Sequence, residues 1–184
     1  MLDFQKLIHS EKFFLRPMKI EDFEEMKKLT TKSKMWYYFT ADLSKEEVLK
    51  KWIETAISDL KKNNALPFTI IDLKNENIIG TTRIGNISEI NNRVEIGWTW
   101  IAKNYQGTGI NRQVKRLLFK YLFEETDTLR IEFKTDILNI PAKKSMEKVG
   151  LIKEGILRNH TLMTNNRRRD TVYYSILKDE WNTK

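Results

Sequence analysis

The residues best suited to chemistry lie in the segment Gln106-Gly107-Thr108-Gly109-Ile110-Asn111. This segment follows an apolar stretch and precedes a run with helical periodicity. The first N–H groups of a helix have no partner inside the helix, and the helix dipole favours an anion there. Glycine lets the chain turn sharply and lets a ligand approach the backbone. The segment therefore predicts either a phosphate-binding loop or only a tight turn between a strand and a helix.

Two commoner phosphate signatures are not met. The dinucleotide fingerprint needs a third glycine where Arg112 stands, and a P-loop needs Gly-Lys-Ser or Gly-Lys-Thr, which is absent. The next residues predict a long amphipathic helix, since apolar side chains recur about every 3.6 residues. These apolar residues are Ile110, Val114, Leu117, Leu118, Tyr121 and Leu122. Other faces are predicted to carry the basic residues Arg112, Lys115, Arg116 and Lys120.

Composition bounds the class of protein. The chain has 184 residues, 40% of them hydrophobic, which predicts one globular domain over residues 1–184. No apolar run approaches the roughly 20 residues of a membrane span, and no signal peptide is apparent, so we expect a cytoplasmic protein without membrane contact. Cysteine is absent, which excludes disulfides and a cysteine nucleophile. The two histidines, His9 and His160, are expected at surface or packing positions, and no metal site is predicted.

The net charge of +8 fits a nucleic acid or an anionic cofactor as partner, or a general role at the protein surface. The densest basic cluster, Arg167-Arg168-Arg169, is followed at once by Asp170. We interpret this cluster as a hairpin turn with solvated charges. Because the other basic residues are spread along the chain, nucleic-acid binding is disfavoured.

The order of elements predicts a mixed α/β (α+β) fold with a central sheet. Seven strands are predicted, at residues 13–18, 67–72, 78–87, 93–101, 130–137, 151–163 and 171–177. Four helices are predicted, at residues 20–30, 44–62, 110–125 and 141–149. The last two strands are expected to join across Asn165-Asn166.

At residues 106–111 the chain resembles the GNAT superfamily of acetyl-CoA-dependent N-acetyltransferases. That family carries Gln or Arg, two residues, Gly, one residue, then Gly or Ala, between its fourth strand and third helix. Gln106 and Gly109 match, whereas Asn111 replaces the last small residue. Further segments resemble the branch of ribosomal-protein N-terminal acetyltransferases: Glu95-Ile96-Gly97-Trp98, Asn139 with Glu147-Lys148-Val149-Gly150, Gly155-Ile156-Leu157-Arg158, Arg169-Asp170, Tyr174-Ser175 and Glu180-Trp181.

The resemblance implies a single-domain GNAT-like fold. Its sheet is mixed and mostly antiparallel, with about seven strands, four flanking helices and a splayed strand pair that holds the cofactor. The implied activity moves an acetyl group from acetyl-CoA to a primary amine, on a protein N-terminus or a small molecule, by direct attack. No metal is implied, and the state of assembly is left open between monomer and homodimer.

The resemblance also implies where acetyl-CoA binds. The loop backbone is expected to hold the diphosphate, and the splayed strand to line the pantetheine and offer a backbone N–H to the oxyanion. Lys144 is expected near the adenosine phosphate. The implied cofactor-binding residues are Trp100, Ile101, Ala102, Gln106, Gly107, Thr108, Gly109, Ile110, Asn111, Asn139 and Lys144.

Catalytic roles are expected for two residues. Glu95 is the candidate general base, directly or through a water, although it could instead pair with Arg83 or Arg93 across the sheet. Asn139 is expected to orient the pantetheine or the sulfur. The acceptor amine is expected against aromatic side chains, although plain packing is the favoured interpretation of residues 36–39. These aromatic residues are Trp36, Tyr38 and Trp98.

The chain departs from the family at two positions where relatives carry a side chain that can donate a proton to the departing thiol. No candidate for this proton donor is therefore left. Met146 stands where many GNAT enzymes have a tyrosine acid, and Ala142 stands where the ribosomal branch often has serine. A coenzyme A-binding protein without turnover therefore remains an alternative to an active acetyltransferase. A basic nucleic-acid-binding module is a weaker alternative.

Overall fold

A computed structural model describes residues 1–31, 34–164 and 166–182. Those residues form one sheet of eight strands. The strands are β1 (Ile8–His9), β2 (Phe13–Pro17), β3 (Leu66–Asp72), β4 (Ile78–Ser88), β5 (Arg93–Ile101), β6 (Arg130–Asp136), β7 (Ile152–Leu162) and β8 (Arg168–Leu177). The helices are α1 (Phe23–Thr30), α2 (Glu46–Lys61), α3 (Ile110–Glu125), α4 (Ile140–Glu147) and α5 (Lys178–Asn182).

The strand order is β1-β2-β3-β4-β5-β6-β8-β7. Every neighbouring pair is antiparallel except β5 and β6, which run parallel. The mixed, mostly antiparallel fold predicted from the sequence is confirmed. The structure has one strand more than the seven predicted. The additional strand, β1, has only two residues, too few to show the alternation of apolar and polar residues that indicates a strand. The five-residue α5 was likewise not predicted. Of the predicted turn Asn165-Asn166, Asn165 lies outside the described residues.

Two hydrophobic clusters cover the two faces of the sheet. One cluster packs α3 against the sheet through side chains such as Leu118, Phe119 and Leu122, all fully buried. The other packs α1 and α2 on the opposite face, around Met26, Leu49 and Ile53. The middle of the sheet is therefore buried on both faces, which agrees with the almost continuous burial of β3 and of β4 up to Gly85.

A bulge in β5 changes which side chains face each cluster. The register with β4 passes from Thr81↔Trp100 to Arg83↔Gly97, so β5 holds one extra residue there. Trp98 lies in this extra step with φ of 52°, a left-handed conformation that is rare for a bulky residue. Ile96 before the bulge and Ile101 after it consequently pack in the same cluster, although five positions separate them.

The parallel pair β5 and β6 separates after a short contact. The register contains only Arg93↔Arg130, Val94↔Ile131 and Glu95↔Glu132, although both strands continue beyond it. The facing edges of residues 96–101 and 133–136 therefore have no strand partner. The splayed strand pair implied by the family resemblance is present at this point.

A substitution at Gly80 can test whether the geometry of the bulge is required for stability. A Cβ atom at Gly80 would clash with the carbonyl oxygen of Trp100. We expect Gly80→Ala to lower the free energy of unfolding by about 1–3 kcal/mol in urea denaturation, as overpacking does. A methyl group at Gly155 in β7 would meet no atom within 4 Å, so Gly155→Ala is the matched control and should change stability by less than about 0.5 kcal/mol. Equal losses in both variants would contradict this account.

Candidate active site

The loop between β5 and α3 is built around two left-handed glycines. Gly107 has φ of 78° and Gly109 has φ of 89°, a region in which only glycine is free of strain. A methyl group at either position would meet no atom within 4 Å, so open space lies beside the backbone. Side chains fix the loop from within, since Gln106 Nε2 donates to the carbonyl of Ile101 at 2.8 Å and Thr108 Oγ1 donates to that of Tyr105 at 2.7 Å.

Five consecutive amides of this loop are left as free donors. Gln106 N–H bonds to Lys103 and Arg112 N–H bonds to Gly109, but among the described residues the N–H groups of residues 107–111 have no acceptor. They stand at the start of a 16-residue helix, where the dipole adds a partial positive charge. Such an arrangement suits a diphosphate or another anion.

A cleft opens beside the loop, where β5 and β6 separate. Its walls come from β5, β6, β7, β8, α3 and α4, and a segment before α2 closes one side. Its charged or titratable lining residues are Tyr38, Glu95, Lys115, Lys134, His160 and Arg169. Glu95 is the sole acidic side chain of this lining within the described ranges. The cleft is therefore predominantly basic.

Glu95 is nearly buried and is held by two neighbours. Its Oε2 accepts from Asn86 Nδ2 at 2.7 Å and pairs with Lys134 Nζ at 2.9 Å. Its Oε1 lies beside Gly97 and accepts no hydrogen bond from any described residue. One carboxylate oxygen is thus fixed, and the other has no hydrogen-bond donor among the described residues.

The alternative expectation, that Glu95 pairs with Arg83 or Arg93, is wrong. Arg83 pairs with Asp59 at 3.4 Å, and Arg93 pairs with Glu132 at 2.7 Å. Lys134, which lies on the neighbouring strand β6, takes the position beside Glu95 instead. Sequence separation along one strand could not reveal this partner because the pair depends on where β5 and β6 meet.

Asn139 serves as the N-cap of α4. Its Oδ1 accepts from the Ala142 N–H at 3.2 Å, and its Nδ2 donates to Thr135 Oγ1 at 3.3 Å. The side chain does not line the cleft, although Thr135 and Ala142 do. Lys144 is exposed on the same helix. The structure thus gives Asn139 a direct role in positioning α4, and its expected role toward the cofactor stays a prediction.

The strand residues expected to line pantetheine differ in what their backbone can offer. The Ala102 N–H donates to the Ile79 carbonyl at 2.8 Å, so this amide is not free to hold an oxyanion. Ile101 uses its carbonyl to hold Gln106. Trp100 is 2% exposed, and its indole Nε1 has no acceptor among the described residues.

The three aromatic residues expected at the acceptor site are divided by the structure. Trp36 is 4% exposed, packs edge-on against Trp100 and donates from Nε1 to the Thr30 carbonyl at 2.9 Å. It is a core residue outside the cleft lining, in keeping with the plain packing favoured for residues 36–39, and its contact with an acceptor stays an untested prediction. Tyr38 and Trp98 both line the cleft. They remain candidates for acceptor binding.

Lys115 corrects the prediction that all basic residues of α3 lie away from the core. It is 6% exposed and lies on the same face as Leu118 and Leu122. Its Nζ donates to Asn111 Oδ1 at 2.6 Å and to Ser145 Oγ at 3.1 Å, so it joins α3 to α4. Burial lowers the pKa of Lys115 from 10.5 to about 7. The signal was present in the sequence, since Lys115 stands three and seven positions before Leu118 and Leu122.

The cluster at residues 167–169 is also less solvated than expected. Arg169 is 6% exposed, lines the cleft and donates from Nε to Thr171 Oγ1 at 3.0 Å. Arg167 pairs with the fully buried Asp136. His160 also lines the cleft, beside the Thr171 hydroxyl at 3.1 Å. Sequence analysis missed these contacts because β7 and β8 bring them to the cleft only through the tertiary fold.

Comparison with known proteins identifies the family. Residues 12–152 match the acetyltransferase (GNAT) domain, which is most of the chain. The chain belongs to this family, as its resemblance predicted. In the described ranges, every helix falls short of the length and hydrophobicity that a membrane span requires. No three His, Asp or Glu side chains come together there as a metal site needs.

Individual relatives are similar over nearly the whole chain. A Bacillus subtilis (strain 168) protein with the provisional name ribosomal N-acetyltransferase YdaF is 29% identical over 181 residues, which is 94% of each chain. A GCN5-related N-acetyltransferase from Brucella melitensis has a TM-score of 0.85 at 21% identity, over 97% of this chain and 81% of that one. The ribosomal-protein-S5-alanine acetyltransferase from Vibrio fischeri has a TM-score of 0.74 at 21% identity, over 96% and 98%. The two structures show the shared fold.

Lys115 should make stability depend on pH. Its pKa is about 7 in the folded chain and near 10.5 when exposed, so between these values the unfolded chain binds the extra proton. The free energy of unfolding should therefore rise with pH in this window, by up to about 1.4 kcal/mol per pH unit. Lys115→Met should remove this slope in urea denaturation between pH 7 and pH 9.5. Lys120→Met, at an exposed position of α3, should keep it, and identical slopes in all three proteins would refute the burial effect.

Proposed function

We propose that this protein is an N-acetyltransferase that moves the acetyl group of acetyl-CoA to a primary amine. The observation that carries the proposal is the row of five unpaired amides at residues 107–111, beside the gap between β5 and β6. Family membership supports acetyl transfer. The unpaired amides of the loop support the proposal that the acyl carrier bears a diphosphate.

The residues present fit coenzyme A. The N–H groups of residues 107–111 are the donors proposed for its diphosphate, and the open space beside Gly107 and Gly109 lets oxygen atoms reach them. The edge of β5 at residues 100–102 is proposed to lie along the pantetheine, with Asn139 and the exposed Lys144 on the side of α4. Bound acetyl-CoA supplies an activated acetyl group and a thiol leaving group.

Glu95 is proposed to take the proton from the acceptor amine. Lys134 and Asn86 hold Oε2, which leaves Oε1 to accept the proton directly or through one water. Gly97 beside Oε1 keeps that oxygen accessible, since a Cβ there would lie 3.3 Å away.

The acceptor is proposed to be a weakly basic amine such as a protein N-terminus. An α-amine with a pKa of about 7.7–8.0 is about a tenth neutral at pH 7, whereas a lysine amine is almost wholly protonated. The lining carries Lys115, Lys134 and Arg169 against the single acid Glu95, which opposes a polycation. Tyr38 and Trp98 supply the apolar contact. A polyamine is therefore the less favoured small acceptor.

A binder without turnover is the second candidate function. It is favoured by one observation: the side chains of α4 that line the cleft, Ala142 and Met146, carry no proton donor. Thiol release from acetyl-CoA in the presence of N-terminal peptides, polyamines or aminoglycosides decides between the two. Release above the hydrolysis rate with any of these amines establishes the enzyme.

Blocking the loop should abolish coenzyme A binding. We expect Gly109→Trp to weaken binding in calorimetry by about 100-fold or more, because the indole fills the open space and φ of 89° strains it. Gly109→Asn is the matched variant, since asparagine tolerates the left-handed region and adds little bulk. It should lose about tenfold or less. Unchanged affinity in Gly109→Trp would refute the placement of the diphosphate.

Removing the proposed base should lower turnover without affecting the carrier. We expect Glu95→Gln to reduce kcat by about 10²–10⁴-fold, the usual contribution of a general base. Its affinity for coenzyme A in calorimetry should stay within about twofold of wild type. Lys134→Met removes the ion pair but keeps the carboxylate, so its loss of kcat should be smaller. Full activity of Glu95→Gln would exclude Glu95 as the base.

A further inference from the structure

The α3–α4 side of the cleft holds one buried titratable group that the mechanism above does not use. Lys115 lies one helical turn after Asn111, the last residue of the loop with free amides. Its Nζ uses two of its three N–H bonds, to Asn111 and Ser145. The third N–H has no acceptor among the described residues, and the side chain lines the cleft.

The partners of Lys115 are both neutral. No carboxylate of the described residues forms an ion pair with it, so nothing compensates a fixed positive charge there. Ammonium and amine forms are consequently close in free energy, with a pKa of about 7. A group of this kind can give up a proton and regain it near neutral pH.

Other groups that face the cleft are less suited to donate a proton. Lys134 is held in the ion pair with Glu95 at 2.9 Å, and Arg169 does not release a proton in proteins. His160 Nδ1 lies between two threonine hydroxyls, at 3.0 Å and 3.1 Å. Together with Tyr38 and Glu95, these groups determine the electrostatic potential around Lys115.

Building on the function proposed above, we propose that the Lys115 ammonium donates the proton that the departing coenzyme A sulfur takes up. The acceptor nitrogen forms its bond to the acetyl carbon, and the carbon–sulfur bond breaks with its electron pair left on sulfur. The sulfur then takes a proton from Lys115 Nζ, while Glu95 holds the proton lost by the amine. Solvent restores both groups, so no further reactant is needed.

This role assigns a reason to the polar contacts of Lys115. Asn111 and Ser145 hold Nζ at the junction of α3 and α4, on the side of the loop that is proposed to bind the diphosphate. Ala142 and Met146, which line the same part of the cleft, give no proton. Lys115 thereby supplies from α3 the proton donor that α4 lacks.

Binding measurements test the proposal apart from turnover. Wild-type protein should bind coenzyme A more tightly than desulfo-coenzyme A at pH 6, where Lys115 is protonated, by roughly tenfold, because a charge-assisted contact to sulfur is lost in the analogue. Lys115→Met should reduce this ratio to about 1. Lys120→Met, which alters an exposed residue of α3, should keep the wild-type ratio.

Kinetics separate proton donation from charge alone. We expect Lys115→Met to lower kcat by about 10²–10⁴-fold. Lys115→Arg keeps a cation that does not give up its proton, so it should retain a preference for coenzyme A over the desulfo analogue and still lose most of kcat. In wild type, kcat should fall as pH rises through the pKa of Lys115, and this limb should be absent in the arginine variant.

The outcomes distinguish this proposal from the function on which it rests. Wild-type turnover with an equally active Lys115→Met, or a fully active Lys115→Arg, would overturn the role of Lys115 and leave the acetyltransferase in place. Wild-type protein that neither binds coenzyme A nor releases its thiol would overturn both. Loss of the sulfur-dependent binding ratio together with loss of kcat in Lys115→Met would support both.

Discussion

The loss of pairing between β5 and β6 is the constraint on which the rest of the site depends. A buried sheet normally satisfies its backbone through neighbouring strands, and unpaired backbone groups away from water are costly. Here the parallel pair stops at Glu95 and Glu132 while both strands continue. The opening is tolerated because β4 and β8 hold the outer edges of the same two strands. The result is a gap in the middle of the sheet.

The bulge at Trp98 adapts β5 to this gap. One extra residue turns the strand so that Trp100 packs with α1 and α2, while Ile101 faces the α3 side. Glu95 lies before the bulge and the loop at residues 106–111 lies after it. The proposed proton acceptor and the proposed anion-binding loop are therefore positioned by the same strand. A change of register in β5 would move both together.

The sequence predicts elements better than it predicts partners, and the reason is physical. Periodicity and glycine positions are local, so α3 and the loop with Gly107 and Gly109 could be predicted from a few neighbouring residues. The pairing of Glu95 with Lys134 depends on the register between strands that are distant in sequence. Burial of Trp36 likewise depends on Trp100, 64 positions away, and so the neighbours of Trp36 along the chain could not reveal this core contact.

Lys115 combines a local signal with a tertiary consequence. A lysine on the core face of a helix opposes folding, since a methionine of similar length would fill the space without the cost of desolvating a charge. Its retention in a packed α3–α4 junction is therefore poorly explained by stability alone. Asn111 both ends the loop that is proposed to bind an anion and accepts from Lys115 Nζ, so one residue links that loop to the amine. A carrier bound there as proposed would bring negative charge near Lys115 and favour its ammonium form, the form proposed to protonate the sulfur.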